Sequence, residues 1–138
     1  MGTVKQAAES MPDSIHIIAD FAGCPCEMLE RGARGEEILA TAVKESQLSC
    51  ILIRSHQFSP SGYTAAALLE ESHITLHTWP EHLSVQIDIF TCGSHERARN
   101  AYNVLKRLFA PEHIAERILH RSLNQICLEQ TTPDCNLS

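Results

Sequence analysis

Strict two-residue alternation dominates two neighbouring runs of this chain. In 73–78, Ile74 and Leu76 fall on one side while His73, Thr75 and His77 fall on the other. In Ser84–Thr91, Val85, Ile87 and Ile89 oppose Gln86, Asp88 and Phe90. Successive side chains of a strand point to opposite faces, so each run reads as a strand with one buried face. Shorter apolar, β-rich runs predict further strands at 15–21, 50–54, Tyr63–Leu69 and 114–123. A different period marks two helices. Ile38, Leu39, Ala42 and Val43 form one stripe in a helix expected over 27–47, which Gly32 and Gly35 weaken enough to delay its start toward Gly35. Ala98, Ala101, Leu105 and Leu108 form another stripe, with Ser94 as a plausible N-cap and Pro111 as the stop. Residues 55–62 carry turn chemistry, 1–13 read as a frayed end, and the tail after Glu129 reads as loose. The order predicts one α+β domain over 1–138, a two-layer sandwich in which an antiparallel sheet carries helices packed on one face. The other face is left for a site or a partner subunit.

Composition narrows the class. The 138 residues are 43% hydrophobic and 20% charged, which suits a single globular core. Net charge is −6 with no basic run, so nucleic acid is not an expected partner. Met1 to Ser14 has no apolar leader core, and no run nears 18 apolar residues, so neither secretion nor a membrane span is expected. Most of the six cysteines (Cys24, Cys26, Cys50, Cys92, Cys127, Cys135) sit singly in apolar runs. They read as buried free thiols of a reduced, cytoplasmic protein rather than a disulfide framework.

Chemistry concentrates between Glu71 and Gly93: Glu71-Ser72-His73-Ile74-Thr75-Leu76-His77-Thr78-Trp79-Pro80-Glu81, then Asp88 and Phe90-Thr91-Cys92-Gly93. Taken singly, each group has a bland reading. Ser72 lacks the Gly-x-Ser-x-Gly elbow and precedes a strand, which disfavours an ordinary hydrolase. His73 and His77 could converge with Cys92 or His82 on a metal. The usual zinc signatures are absent, however, and Cys24-Pro25-Cys26 is too short a pair, so no metal is assigned. Cys92 alone is a small hydrophobe, and Trp79 alone is packing over a hairpin.

Taken together, that run resembles the small prokaryotic S-adenosylmethionine decarboxylases, and the resemblance extends over 15–122, including His56-Gln57-Phe58-Ser59-Pro60 and Asp20-Phe21-Ala22-Gly23-Cys24. It implies a proenzyme that severs itself at Glu71-Ser72 into 1–71 and 72–138. Ser72 would attack the Glu71 carbonyl, and β-elimination with His77 as proton acceptor would leave a pyruvoyl group at position 72. This covalently held pyruvate would be the cofactor, forming a Schiff base with the substrate amine. Cys92 is implied as the proton donor in catalysis and Thr64 as the processing hydroxyl. Phe58, with Phe21 as a second face, would stack on adenine, Glu81 would hold the ribose, and Trp79 would border the substrate. The resemblance further implies decarboxylation of S-adenosylmethionine to an aminopropyl donor for spermidine synthesis, and homodimers with active sites near the subunit interface.

Several positions depart from the family pattern. Gly62-Tyr63-Thr64-Ala65 replaces its Gly-Val-Ser-Gly, Ser14-Ile15-His16 keeps only the histidine of Gly-Arg-His, and Ala22 and Pro25 stand at the turn. Ala22, Pro25 and Tyr63 keep open a pyruvoyl decarboxylase acting on ornithine or arginine. An uncleaved, non-catalytic homologue is the third reading. One point of parity also stands out: Ser72 and His77 are five residues apart and would face opposite ways on an ideal strand, unless a bulge or bend intervenes.

Overall fold

The computed structural model describes residues 13–122. Six strands, β1 (Ser14–Ala22), β2 (Cys50–Gln57), β3 (Tyr63–Leu69), β4 (Ser72–Trp79), β5 (Ser84–Thr91) and β6 (His113–Arg121), form one sheet. Their order is β2-β3-β4-β5-β1-β6, with every pairing antiparallel. Two helices, α1 (Gly32–Ser46) and α2 (His95–Phe109), pack against each other on one face. Helix α1 lies over β2 and β3, and α2 lies over β5 and β1. The predicted α+β sandwich is therefore the observed one.

The alternation explains the layering. Ile15, Ile17, Ala19 and Phe21 of β1, Tyr63, Ala65 and Ala67 of β3, Ile74 and Leu76 of β4, and Val85, Ile87 and Ile89 of β5 all point under the helices. They meet Ile38, Leu39 and Ala42 of α1 and Ala98, Ala101, Tyr102, Leu105 and Phe109 of α2. The opposite face is open. One row crosses all six strands on it: Leu52, Leu68, His73, Phe90, His16, Leu119. Leu52, Leu68 and Leu119 in that row, with Ile18 beside it, are 40–50% exposed. Near the centre, Asp88 accepts from His16 Nε2 at 2.6 Å and lies 3.5 Å from His73 Nε2.

The helix boundaries differ from expectation for a tertiary reason. Cys26–Met28 is only a short 3-10 turn, and α1 starts at Gly32, whose N–H donates to the Gln57 side-chain oxygen at 2.7 Å. That cap arrives from β2, so no local signal announces it. Gly35 is needed for close approach: the ring of Tyr63 lies where a side chain would begin. Helix α2 starts as predicted, with Ser94 Oγ accepting from Arg97 N–H at 3.2 Å.

Strand β2 runs to Gln57 rather than ending at Arg54, because Ser55, His56 and Gln57 pair with Ala65, Thr64 and Tyr63. The Gln57 side-chain amide then donates to the carbonyls of Glu30, Phe58 and Gly62, closing the loop beyond it. The last strand spans His113–Arg121, inside the predicted 114–123 except for its first residue. Leu123, Cys127, Cys135, the tail and residues 1–12 lie outside the described residues. The thiols do not follow the burial expectation: Cys24 is buried, Cys26 and Cys92 are half-buried, Cys50 is exposed, and all four are free. Cys50 is on an edge strand, so an apolar run there does not imply burial.

Candidate active site

Strands β3 and β4 are joined by the two-residue turn Glu70-Glu71, with Leu69 paired to Ser72. The Glu71-Ser72 bond therefore lies where a tight hairpin enters β4. Ser72 also pairs with Thr91, the last residue of β5, and both side chains point to the helix side. Ser72 Oγ donates to Thr91 Oγ1 at 2.5 Å, and Thr91 Oγ1 also accepts the Gly93 N–H at 2.9 Å. The Cys92 N–H donates to the Glu71 carbonyl at 3.0 Å. This last bond polarises the carbonyl and stabilises negative charge developing on its oxygen, as an oxyanion donor does. A cleft of about 220 Å³ adjoins the bond, lined by Leu69, Glu71, Ser72, Thr91, Gly93 and Arg97 among others.

A second group gathers at the far end of β4. Thr64 pairs with His77 across β3 and β4, on the open face, and Thr64 Oγ1 lies 3.1 Å from His77 Nδ1. Phe58, Thr64, His77, Trp79 and Glu81 all line one cleft of about 340 Å³. Phe58 and Trp79 remain nearly half exposed, and Trp79 Nε1 donates to Gln86 Oε1 at 3.1 Å. The cleft thus offers two aromatic walls, a carboxylate and a hydroxyl-linked imidazole, a set suited to a flat heterocycle bearing hydroxyls.

The two groups do not meet within the chain. The pairings of β4 with both neighbours run unbroken from Ser72 to Trp79 on the β5 side and from Ser72 to His77 on the β3 side, so no bulge rescues the parity. Five residues of strand separate Ser72 from His77 by roughly 17 Å, with their side chains on opposite faces. Among the described residues no group of three or more His, Cys, Asp and Glu could hold a metal ion.

Phe21 departs from its expected place. Its ring is buried against Tyr102 and Phe109, and it borders only a neighbouring cleft on the other side of Trp79, not the Phe58 cleft. The alternation of β1 explains this, since Phe21 shares parity with Ile15 and Ile17. Tyr63 does not line the Phe58 cleft either. It is fully buried under α1, with its hydroxyl donating to the Met28 carbonyl at 2.7 Å, and burial pushes its phenol well above the ordinary range. Sequence reading missed Thr91, Gln57 and Gln86. For Thr91 the signal was a hydroxyl at a buried-parity position of an otherwise aliphatic strand.

Comparison with known proteins places this sequence and this α+β sandwich in one family. The sequence profile described as S-adenosylmethionine decarboxylase matches residues 15–122. The chain is 39% identical over 109 residues to the S-adenosylmethionine decarboxylase proenzyme of Sulfurihydrogenibium sp. (strain YO3AOP1), covering 79% of this chain and 82% of that one. The proenzyme of Persephonella marina is 38% identical over 117 residues, covering 85% and 88%. The crystal structure of the adenosylmethionine decarboxylase from Aquifex aeolicus VF5 superposes with a TM-score of 0.78 at 32% identity, covering 83% of this chain and 94% of that one. The chain belongs to the S-adenosylmethionine decarboxylase family.

Proposed function

We propose that this protein is a self-processing, pyruvoyl-dependent S-adenosylmethionine decarboxylase that works as a homodimer. The observation that carries the reading is the Cys92 N–H on the Glu71 carbonyl, next to the Ser72 hydroxyl. Attack by Ser72 Oγ on that carbonyl converts the amide to an ester, with the backbone nitrogen taking up a proton. Loss of the Ser72 α-proton then breaks the Ser72 Cβ–Oγ bond, so that residues 1–71 leave as a carboxylate carrying that oxygen and dehydroalanine remains at position 72. Tautomerisation of the dehydroalanine to an imine and its hydrolysis by water release ammonia and leave pyruvoyl at position 72. The site fits such a group, because the bond to be cut lies where the hairpin turn enters the first residue of β4, beside a cleft. A pyruvoyl ketone there would condense with the substrate amine and accept the electron pair released when CO₂ departs. Beside it Cys92 supplies a proton donor, and the cleft in which Phe58 and Trp79 stack on adenine and Glu81 accepts from the ribose hydroxyls would reach it from the partner subunit.

The topology is compatible with the cut. Residues 1–71 supply β1, β2 and β3, and residues from 72 onward supply β4, β5 and β6. In the sheet these interleave, with β1 held between β5 and β6. The two products stay bound by whole-strand ladders after the covalent link is gone.

Dimerisation answers the separation of Ser72 from His77. Proton transfer requires approach to about 3 Å, directly or through one water. Two open faces stacked about a two-fold axis across β4 would bring His77 of the partner subunit over Ser72. The Leu52, Leu68, Leu119 and Ile18 side chains would then lose their exposure to water. Because Ser72 turns its Cβ to the helix side, its α-hydrogen is left on the other side of the backbone, where that imidazole would arrive. Opposite faces are thus the arrangement elimination needs, with the leaving oxygen on one side and the base on the other. Tyr63 points away from the cleft, which removes one of the features favouring an ornithine or arginine substrate.

Mass spectrometry and a denaturing gel test the processing: two chains, 1–71 and a blocked 72–138, are expected, and a single intact chain with an ordinary Ser72 would overturn it. Mixing tests the dimer. Ser72→Ala and His77→Ala chains should each fail to cleave alone, yet refolded together the His77→Ala chain should be cut by the partner's imidazole. No cleavage in verified heterodimers would refute the shared site.

A further inference from the structure

Thr91 has no role assigned by the chemistry above, yet its hydroxyl is the point where the two halves of the cleavage apparatus are joined. It is 1% exposed and sits opposite Ser72 in the β4–β5 ladder. Its oxygen accepts two hydrogen bonds, from Ser72 Oγ at 2.5 Å and from the Gly93 N–H at 2.9 Å. The first fixes the rotamer of the attacking hydroxyl. The second closes the Thr91-Cys92-Gly93 turn, and that turn presents the Cys92 N–H to the Glu71 carbonyl at 3.0 Å. Nucleophile and carbonyl-polarising donor are therefore referenced to one buried oxygen atom. A methyl group at that position would keep the shape and lose both contacts.

We propose that Thr91 is a positioning residue for self-cleavage, acting on ester formation rather than on elimination. In the step concerned, the Ser72 O–H adds to the Glu71 carbonyl carbon, the C–N bond breaks, and the proton passes to the Ser72 nitrogen. Thr91 exchanges no proton in this; it holds the angle of attack. Buried apolar residues flank it, so the strand would tolerate valine on packing grounds alone. The hydroxyl differs from a valine methyl in the two hydrogen bonds it accepts. This inference rests on the processing reading given above and assigns that site a residue the reading did not use.

The test compares Thr91→Val, Thr91→Ser and unmodified chain, each followed from synthesis by gel and by hydroxylamine, which cuts an accumulated ester independently of elimination. Thr91→Val should form ester roughly ten- to a hundredfold more slowly, the range expected when a reacting group is misplaced by an ångström or less. Thr91→Ser should restore ester formation to within a few-fold of the unmodified chain. Thermal melting is measured alongside, and Thr91→Ala stands in if Thr91→Val does not fold. Ester formation at the unmodified rate in either folded hydroxyl-free variant would overturn the inference. So would Thr91→Ser proving as slow as Thr91→Val, since the methyl and not the hydroxyl would then matter. An unmodified chain that never cleaves would instead defeat the processing reading itself.

Discussion

Gly35→Ala should destabilise the protein although it replaces a glycine inside a helix, the fourth residue of α1. Helix propensity alone favours alanine there by about 1 kcal/mol. The structure reverses the sign. A Cβ on Gly35 would lie 2.3 Å from Tyr63 Cε2, 2.7 Å from Cζ and 2.9 Å from Cδ2. Ordinary carbon–carbon contact needs about 3.5–4.0 Å, so the ring and the helix must separate by more than about 1 Å. Tyr63 has no room to yield: it is 0% exposed, its hydroxyl bonds the Met28 carbonyl at 2.7 Å, and its N–H bonds Thr78 Oγ1 at 2.8 Å. Overpacking of this kind costs about 1–3 kcal/mol, and loss of the phenol hydrogen bond adds about 1 kcal/mol. After the propensity gain, a net loss of about 1–3 kcal/mol remains. Urea denaturation of Gly35→Ala on a Ser72→Ala chain, so that one covalent species is followed, measures it. In a Tyr63→Leu background the penalty should shrink to near zero or change sign, because the two positions are coupled through one contact. A single variant more stable than its parent would refute the packing argument.

Glu81→Gln removes the charge proposed to accept from the ribose hydroxyls; a charge-assisted hydrogen bond is worth about 1.5–3 kcal/mol. Steady-state kinetics should show KM for S-adenosylmethionine raised about ten- to a hundredfold with kcat changed far less, and an unaltered KM would remove Glu81 from binding. Cys24 carries a pH dependence. Burial raises its thiol from 9.0 to about 11, so between those values the unfolded chain has released the proton while the folded chain still holds it. Stability from this group is intact below pH 9.0 and declines as pH rises toward about 11. Melting temperatures recorded from pH 8 to pH 10 (about one unit either side of the ordinary thiol value) should fall less steeply in Cys24→Ala. Equal slopes would show that the thiol makes no contribution.

The elements themselves were legible because alternation and stripe are local properties. Strands β4 and β5 expose their period within a handful of residues, and Ser94 caps α2 with an atom three residues from the N–H it satisfies. Part of the candidate site was legible too, since 71–93 gathers Ser72, His77, Glu81 and Cys92 in one stretch, whereas the contacts of Thr91, Gln57 and Gln86 were not. Boundaries that depended on distant partners were not. The Gln57 side chain stops the delayed start of α1 from being read locally, and cross-strand pairing carries β2 three residues beyond its apolar run.

Sequence alone thus determined the fold class, the buried parity of β4 and β5 and the identity of the chemical groups. Tertiary structure decided where those groups stand relative to one another. It buried Phe21 and Tyr63 in the core, joined Ser72 to Thr91, and set Thr64, His77 and Glu81 in a cleft at the other end of the same strand. The physical reason is that a side chain's face follows from its neighbours in the chain, whereas its partners follow from strand register and sheet order, which are set by contacts between residues far apart in sequence.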